Sequence, residues 1–135
     1  MNTHNVTIMD EAVITNGFKA AGLPIGIKKN NKKDMALLWS EVPAVAAGMF
    51  TTNQVCAAPV KVSRERIAGG RGRAVIISSG KANACTGAQG LEDANRMADL
   101  AAEQLGVEPG EVTVCTTGLI GIPMPMDTVE AGIPQ

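Results

Sequence analysis

The amino-acid sequence predicts an α/β (α+β) domain in which helices flank layers of β-sheet. Three stretches lead there. Arg73-Ala74-Val75-Ile76-Ile77-Ser78-Ser79 is β-branched at its centre, as a buried strand favours. From Gly90 to Gly106, Leu91, Ala94, Ala98, Ala101 and Leu105 recur at three- and four-residue spacing, which lays one narrow apolar stripe along a helix. Directly after it, Glu111 to Thr116 reads as a further short strand. Strands and a helix joined by short loops imply helices covering a sheet.

The 135 residues suit a single domain with a real core. Formal net charge is −1 and the pI about 5.8, so there is no bulk attraction to nucleic acid or to an anionic membrane, and neither is expected as a partner. Aromatic residues are only 2% of the chain, so Ala and Gly carry much of the packing and elements should approach closely. No run approaches the roughly 18 apolar residues that span a bilayer. Met1-Asn2-Thr3-His4-Asn5 lacks the basic and apolar regions of a secretory leader. Three cysteines, an odd count in no metal spacing, suit free thiols in a reducing compartment, and a cytoplasmic protein without a metal or resident cofactor is expected.

Taken in order, residues 1–16 read as a loosely held arm or short edge strand, and 17–135 as the domain. His4, the only histidine, falls in the arm and reads as solvated. Gly17 to Gly26, with Pro24, reads as a structured loop, and its glycines lack phosphate-loop spacing. The charged run 28–34 suits a turn between two strands. Met35 to Ser40 reads as a buried strand, with Val45 to Thr51 as its partner. Val60-Lys61-Val62 alternates like a short strand, and Ser63 reads as the N-cap of one helical turn ending at Gly69-Gly70. Arg64, Arg66, Arg71 and Arg73 read as a solvated basic face with Glu65 as partner. Glu92 and Asp93 fall in the first turn of the Gly90 helix, where negative charge is favoured, and Gly106 ends it. Asp127 begins a last helix near its cap.

Two loops carry candidate chemistry. The strand ending at Ser79 delivers Gly80-Lys81-Ala82-Asn83-Ala84-Cys85-Thr86-Gly87, rich in donors and acceptors and without a Walker ending. Asn83 and Thr86 are its substrate-adjacent candidates; a structural turn is the other reading. The second loop is Cys115-Thr116-Thr117-Gly118-Leu119-Ile120-Gly121, followed by Pro123 and Pro125, which forbid an immediate helix or central strand. The chain should leave its strand and turn at once. Gly118 lets its N–H come close to a bound group, and a Thr hydroxyl adds a second donor, as a developing oxyanion requires. The same residue types also suit a plain strand-ending turn.

This second loop, with Pro123-Met124-Pro125-Met126-Asp127 after it, resembles the oxyanion segment of the ornithine acetyltransferase family, the bifunctional glutamate N-acetyltransferases of arginine biosynthesis. Other segments match in order: Gly17-Phe18-Lys19-Ala20-Ala21-Gly22, Gly26-Ile27-Lys28, Val42 to Asn53, Ala57-Ala58-Pro59-Val60, Ser79 to Gly87 and Gln89-Gly90-Leu91. The likeness runs from about Gly17 to the last residue. It departs from the family pattern at Lys81, where Asn usually stands.

The resemblance implies an α-β-β-α sandwich and a precursor that cuts itself before a Thr. That new N-terminal Thr attacks the acetyl group of N-acetylornithine, and glutamate then accepts the acetyl from the ester. Some members also take acetyl-CoA as donor. An N-terminal amine can serve as the base that activates such a hydroxyl. The cleavage segment of Ala-Thr-Met-Leu type is absent from these 135 residues, so the nucleophile is expected outside them. This chain is then most of the N-terminal (α) chain, inactive alone, partnered by a C-terminal (β) chain in an α2β2 assembly, with Thr117 and Gly118 supplying the oxyanion hole. Rival readings are a related N-terminal-nucleophile amidase or aminopeptidase, a purely structural partner chain, and a cysteine enzyme using Cys85 or Cys115.

Overall fold

The computed structural model describes residues 15–135; His4 and most of the expected arm lie outside the described residues. Four strands form one sheet in the order β1-β2-β3-β4. These are β1 (Phe18–Leu23), β2 (Met35–Ser40), β3 (Ala74–Lys81) and β4 (Val112–Leu119). The first three pair antiparallel, whereas β3 and β4 run parallel. Three α-helices stand among the described residues: α1 (Ala58–Arg66), α2 (Gly87–Leu105) and α3 (Met126–Gly132). A parallel pair needs a crossover, and α2 provides it.

One core lies between the helices and one face of the sheet. Met35, Ala74, Ile76, Val112 and Val114 come from the strands and pack with Val62 of α1, Ala94, Met97, Ala98 and Ala101 of α2, and Val129 of α3. Alternation along the strands turns Val75, Ile77 and Cys115 to the opposite face, which no helix among the described residues covers. The expected α/β class is therefore present, with one sheet layer and one helix layer in the described residues. No helix among them is long and apolar enough to cross a membrane.

Several expected elements differ. Gly17 to Gly26 is not a loop: β1 occupies most of it, held by a ladder to β2 from Phe18↔Ser40 to Leu23↔Met35. An edge strand tolerates Gly22, since pairing rather than side-chain packing holds it. Val45 to Thr51 does not pair with β2, because β1 and β3 already take both edges of that strand. It keeps one bridge, Val45 to Arg71, and leaves Val45 and Met49 exposed. Val60-Lys61-Val62 belongs to α1, not to a strand. Pro59 fits that helix's first turn, and the buried residues Ala58, Pro59, Val62 and Ser63 repeat at helical spacing. Helix α2 starts at Gly87, so Glu92 and Asp93 lie beyond its first turn and Leu91 is exposed outside the buried stripe. Gly106 ends it as expected, at φ 63°.

The four arginines are engaged separately rather than as one face paired to Glu65. Arg66 meets Asp99 at 2.6 Å, Arg71 meets Glu111 at 3.3 Å, and Arg73 donates to the Ser40 and Glu41 carbonyls. Arg64 donates to the Thr51 carbonyl and lies over the Phe50 ring.

Ser63 does not cap a helix; it sits inside α1 and serves the sheet. Its hydroxyl donates to the Val114 carbonyl at 2.8 Å and accepts from the Val114 N–H at 3.0 Å. Among the described residues β4 pairs with β3 alone, and this one side chain satisfies both Val114 backbone groups on its other edge. All three groups are buried. Ser63→Ala is expected to lower the unfolding free energy by about 1–3 kcal/mol, because it strands a buried donor and acceptor. A shift in the denaturant midpoint at unchanged slope measures it.

Candidate active site

The candidate residues gather where β3 and β4 end. Their parallel register places Ser79 beside Thr117, Gly80 beside Gly118 and Lys81 beside Leu119. The strand does not stop at Thr116, as Pro123 and Pro125 suggested; it runs on to Leu119, because the ladder to β3 continues and the prolines act only after the turn at Ile120-Gly121. Thr117 and Gly118 thus stand on a paired strand end, and both are exposed.

Gly118 has φ 136°, which L side chains rarely adopt, and a Cβ there would overlap the Gly80 carbonyl group. Two backbones therefore touch at this point, and only glycine permits it. Gly80 is confined in its turn: at φ 129°, a Cβ would strike the Ile27 side chain and meet the Lys28 stem at 3.4 Å.

Three hydrogen bonds fasten the Ala82–Thr86 loop to the end of β4. The Thr116 hydroxyl donates to the Ala82 carbonyl at 2.6 Å, the Ala82 N–H to the Leu119 carbonyl at 2.9 Å, and the Gly121 N–H to the Ala84 carbonyl at 2.9 Å. Asn83 is wholly buried, with φ 46°. Its amide donates to the Gly90 carbonyl at 2.7 Å, and its Oδ1 accepts from the Thr86 hydroxyl at 2.6 Å. A Cβ at Gly90 would overlap this pair, so Gly90 is the space that admits Asn83 against α2. The two side chains expected beside a substrate thus bond to each other and clamp the loop to the start of α2. Thr86 also lines an open cavity of about 410 Å³ with Cys56, Lys61 and Cys85. Cys85 and Cys115 are exposed free thiols. The described residues contain no histidine to serve either as a base.

Gly80 and Gly90 were not singled out from the sequence. Gly80 follows a strong strand directly, which was the available signal; Gly90's role needs the Asn83 contact. Asp34 was also missed. It is buried, and its carboxylate accepts the Ile25 and Lys28 N–H groups at 2.7 Å each, which shapes the loop lying against Gly80. Its own carbonyl accepts the Ser79 N–H.

Fold and site together define an α/β domain with Thr117 and Gly118 at the exposed end of a parallel strand pair. The ArgJ family model matches residues 19–135, and the chain belongs to the ArgJ family. The arginine biosynthesis bifunctional protein ArgJ of Symbiobacterium thermophilum is 56% identical over 119 residues, 87% of this chain and 30% of that protein. The protein of the same name from Geobacter sulfurreducens is 48% identical over 88% of this chain and 30% of its own length. Among solved structures, ArgJ of Bacillus halodurans superposes with a TM-score of 0.85 at 44% identity, over 89% of this chain and 63% of the solved one. Ornithine acetyltransferase of Mycobacterium tuberculosis, solved with ornithine, gives 0.85 at 46% identity, over 88% and 65%. This chain spans about a third of the curated relatives' length.

The Asp34 loop has a pH signature. Burial opposes ionisation of this carboxyl, but the N–H groups of Lys28, Ile25, Gly26 and Ile27 outweigh it and hold the pKa below 3.8. A lowered folded-state pKa adds stability that is present above the unfolded value, near pH 4, and lost as pH falls through the folded value. Asp34→Asn should therefore destabilise the chain at neutral pH, and its deficit against wild type should shrink below about pH 4. Thermal melts of both proteins from pH 7 to pH 2 check this.

Proposed function

We propose that this chain is part of a glutamate N-acetyltransferase that moves an acetyl group from N-acetylornithine to glutamate, and that Thr117 and Gly118 form its oxyanion hole. The observation that carries this reading is the exposed donor pair on a strand end held rigid by the Gly80 contact, in a chain of the ArgJ family. Preorganised donors stabilise charge without reorganising as it develops. A Thr hydroxyl and a glycine N–H pointing at one oxygen suit the tetrahedral intermediates of acetyl transfer.

The reaction has two halves. The hydroxyl of an N-terminal Thr, on a second chain of the same precursor, attacks the acetyl carbonyl of N-acetylornithine. The carbonyl oxygen becomes the oxyanion, the carbon–nitrogen bond breaks, ornithine leaves with the proton, and an acetyl-Thr ester remains. The glutamate amine then attacks the ester through a second oxyanion at the same donors and regenerates the Thr hydroxyl. Acetyl-CoA is a second acetyl donor in this reading, and no resident cofactor takes part.

The second chain also has a place to pack. Among the described residues, the sheet face carrying Leu38, Val75, Ile77 and Cys115 bears no helix, and Leu38 and Cys115 are exposed. A second sheet laid on that face completes an α-β-β-α sandwich, and two such pairs make an α2β2 enzyme. One comparison supports a divided precursor. The shared stretch is 30% of the curated relatives but 63–65% of the solved chains, so the solved chains are about half as long.

Thr117→Ala in the whole enzyme should lower kcat about a hundredfold or more, the usual cost of one oxyanion donor, with little change in KM or melting temperature. Steady-state kinetics with N-acetylornithine and glutamate check it; unchanged kcat would remove Thr117 from the mechanism. The isolated chain, without the second polypeptide, should transfer no acetyl group.

A further inference from the structure

Gly118 cannot direct its own N–H, because glycine visits many backbone conformations at little cost. The Gly80 contact limits it from one side, and hydrogen bonds must hold the chain before and after it. Both of those bonds go to one residue, Ala82. The Ala82 carbonyl accepts the Thr116 hydroxyl at 2.6 Å, directly before Thr117-Gly118. The Ala82 N–H donates to the Leu119 carbonyl at 2.9 Å, directly after them. Ala82 thus brackets the two residues. It is anchored in turn through Asn83, which is wholly buried, bonded by its side chain to Gly90 and Thr86, and bonded by its carbonyl to the Ala58 N–H at 3.3 Å.

The two halves of the bracket differ in kind. The Leu119 bond joins two backbones and continues the parallel ladder one step past Lys81↔Leu119, whatever the side chains. The Thr116 bond depends on a hydroxyl at that position. Alternation puts Thr116 on the helix-covered face with Val112 and Val114, and Thr117 on the opposite face with Cys115. The two adjacent hydroxyls therefore have separate duties. That of Thr116 is committed to Ala82, and that of Thr117 is left for the reacting oxygen. We infer that Thr116 is a positioning residue for acetyl transfer: through the Ala82 carbonyl, its hydroxyl keeps the Thr117–Gly118 donors aligned on the oxyanion without touching substrate. This rests on the acetyl-transfer reading above. Misaligned donors weaken stabilisation of the transition state, so the loss should fall on kcat rather than KM.

The test is steady-state kinetics of the whole enzyme with N-acetylornithine and glutamate. Thr116→Val keeps the shape and removes the hydroxyl; kcat should fall about tenfold or more, with KM within about twofold. Thr116→Ser, which keeps the hydroxyl, should regain most of that loss. Thr116→Cys, whose thiol is a weaker donor, should fall between serine and valine, and it carries the same comparison should the valine variant not fold. In a Thr117→Ala background, where one donor is already gone, Thr116→Val should cost only about threefold more, because the two residues act through one site. A full loss in both backgrounds, a rise in KM in place of the fall in kcat, a serine variant as slow as the valine one, or unchanged kcat in Thr116→Val would overturn the assignment. Wild type that transfers no acetyl group would instead overturn the acetyl-transfer reading itself.

Discussion

Gly118 meets the Gly80 carbonyl with no room for a side chain on either strand, and much of the molecule is arranged to permit that approach. Parallel pairing from Ala74↔Val112 onward carries the register up to the contact. The α2 crossover sets the two strands side by side and buries Ala74, Ile76, Val112 and Val114 beneath its alanine face. Small residues make this possible: Ala94, Ala98 and Ala101 let the helix lie close to the sheet, and bulkier ones would lift it away. At the far end, the same close approach fixes the backbone of Gly118 and with it the direction of its N–H.

Hydrogen bonding completes what packing begins. The edge of β4 is closed by one hydroxyl from α1, through both backbone groups of Val114. The Asn83–Thr86 pair ties the loop after β3 to α2, and the Thr116 hydroxyl ties that loop to β4. The Asp34 carboxylate shapes the β1–β2 loop that lies over Gly80. These bonds leave Thr117 and Gly118 exposed at a strand end whose backbone has little freedom, which is the preorganisation that an oxyanion site needs.

The parts of this arrangement legible in the sequence are those with local signals. Val75-Ile76-Ile77 declares a buried strand, the alanine spacing declares α2, and Gly106 declares its end. The ordered motifs ending in Thr117-Gly118-Leu119-Ile120-Gly121 lead to the ArgJ family. What stayed hidden depends on distant partners. β1 is a strand because β2 offers it an edge, and Val45 to Thr51 is not one because that edge is taken. Val60-Lys61-Val62 alternates too briefly to separate strand from helix, and burial on α1 decides it. Ser63, Asn83 and Asp34 each bond a partner that local sequence does not name, so Ser63 reads locally as an N-cap although it lies inside α1, and the bonds of Asn83 to Gly90 and Thr86 show only in the fold.

The central claim is that this chain stabilises an oxyanion while the acetyl group is carried elsewhere. Intact mass of the whole enzyme, acid-quenched during turnover with N-acetylornithine, tests it directly. The account predicts one acetyl adduct on a second polypeptide that begins with Thr, and none on this chain. An acetyl group found on Cys85, Cys115 or any other residue of this chain would contradict it.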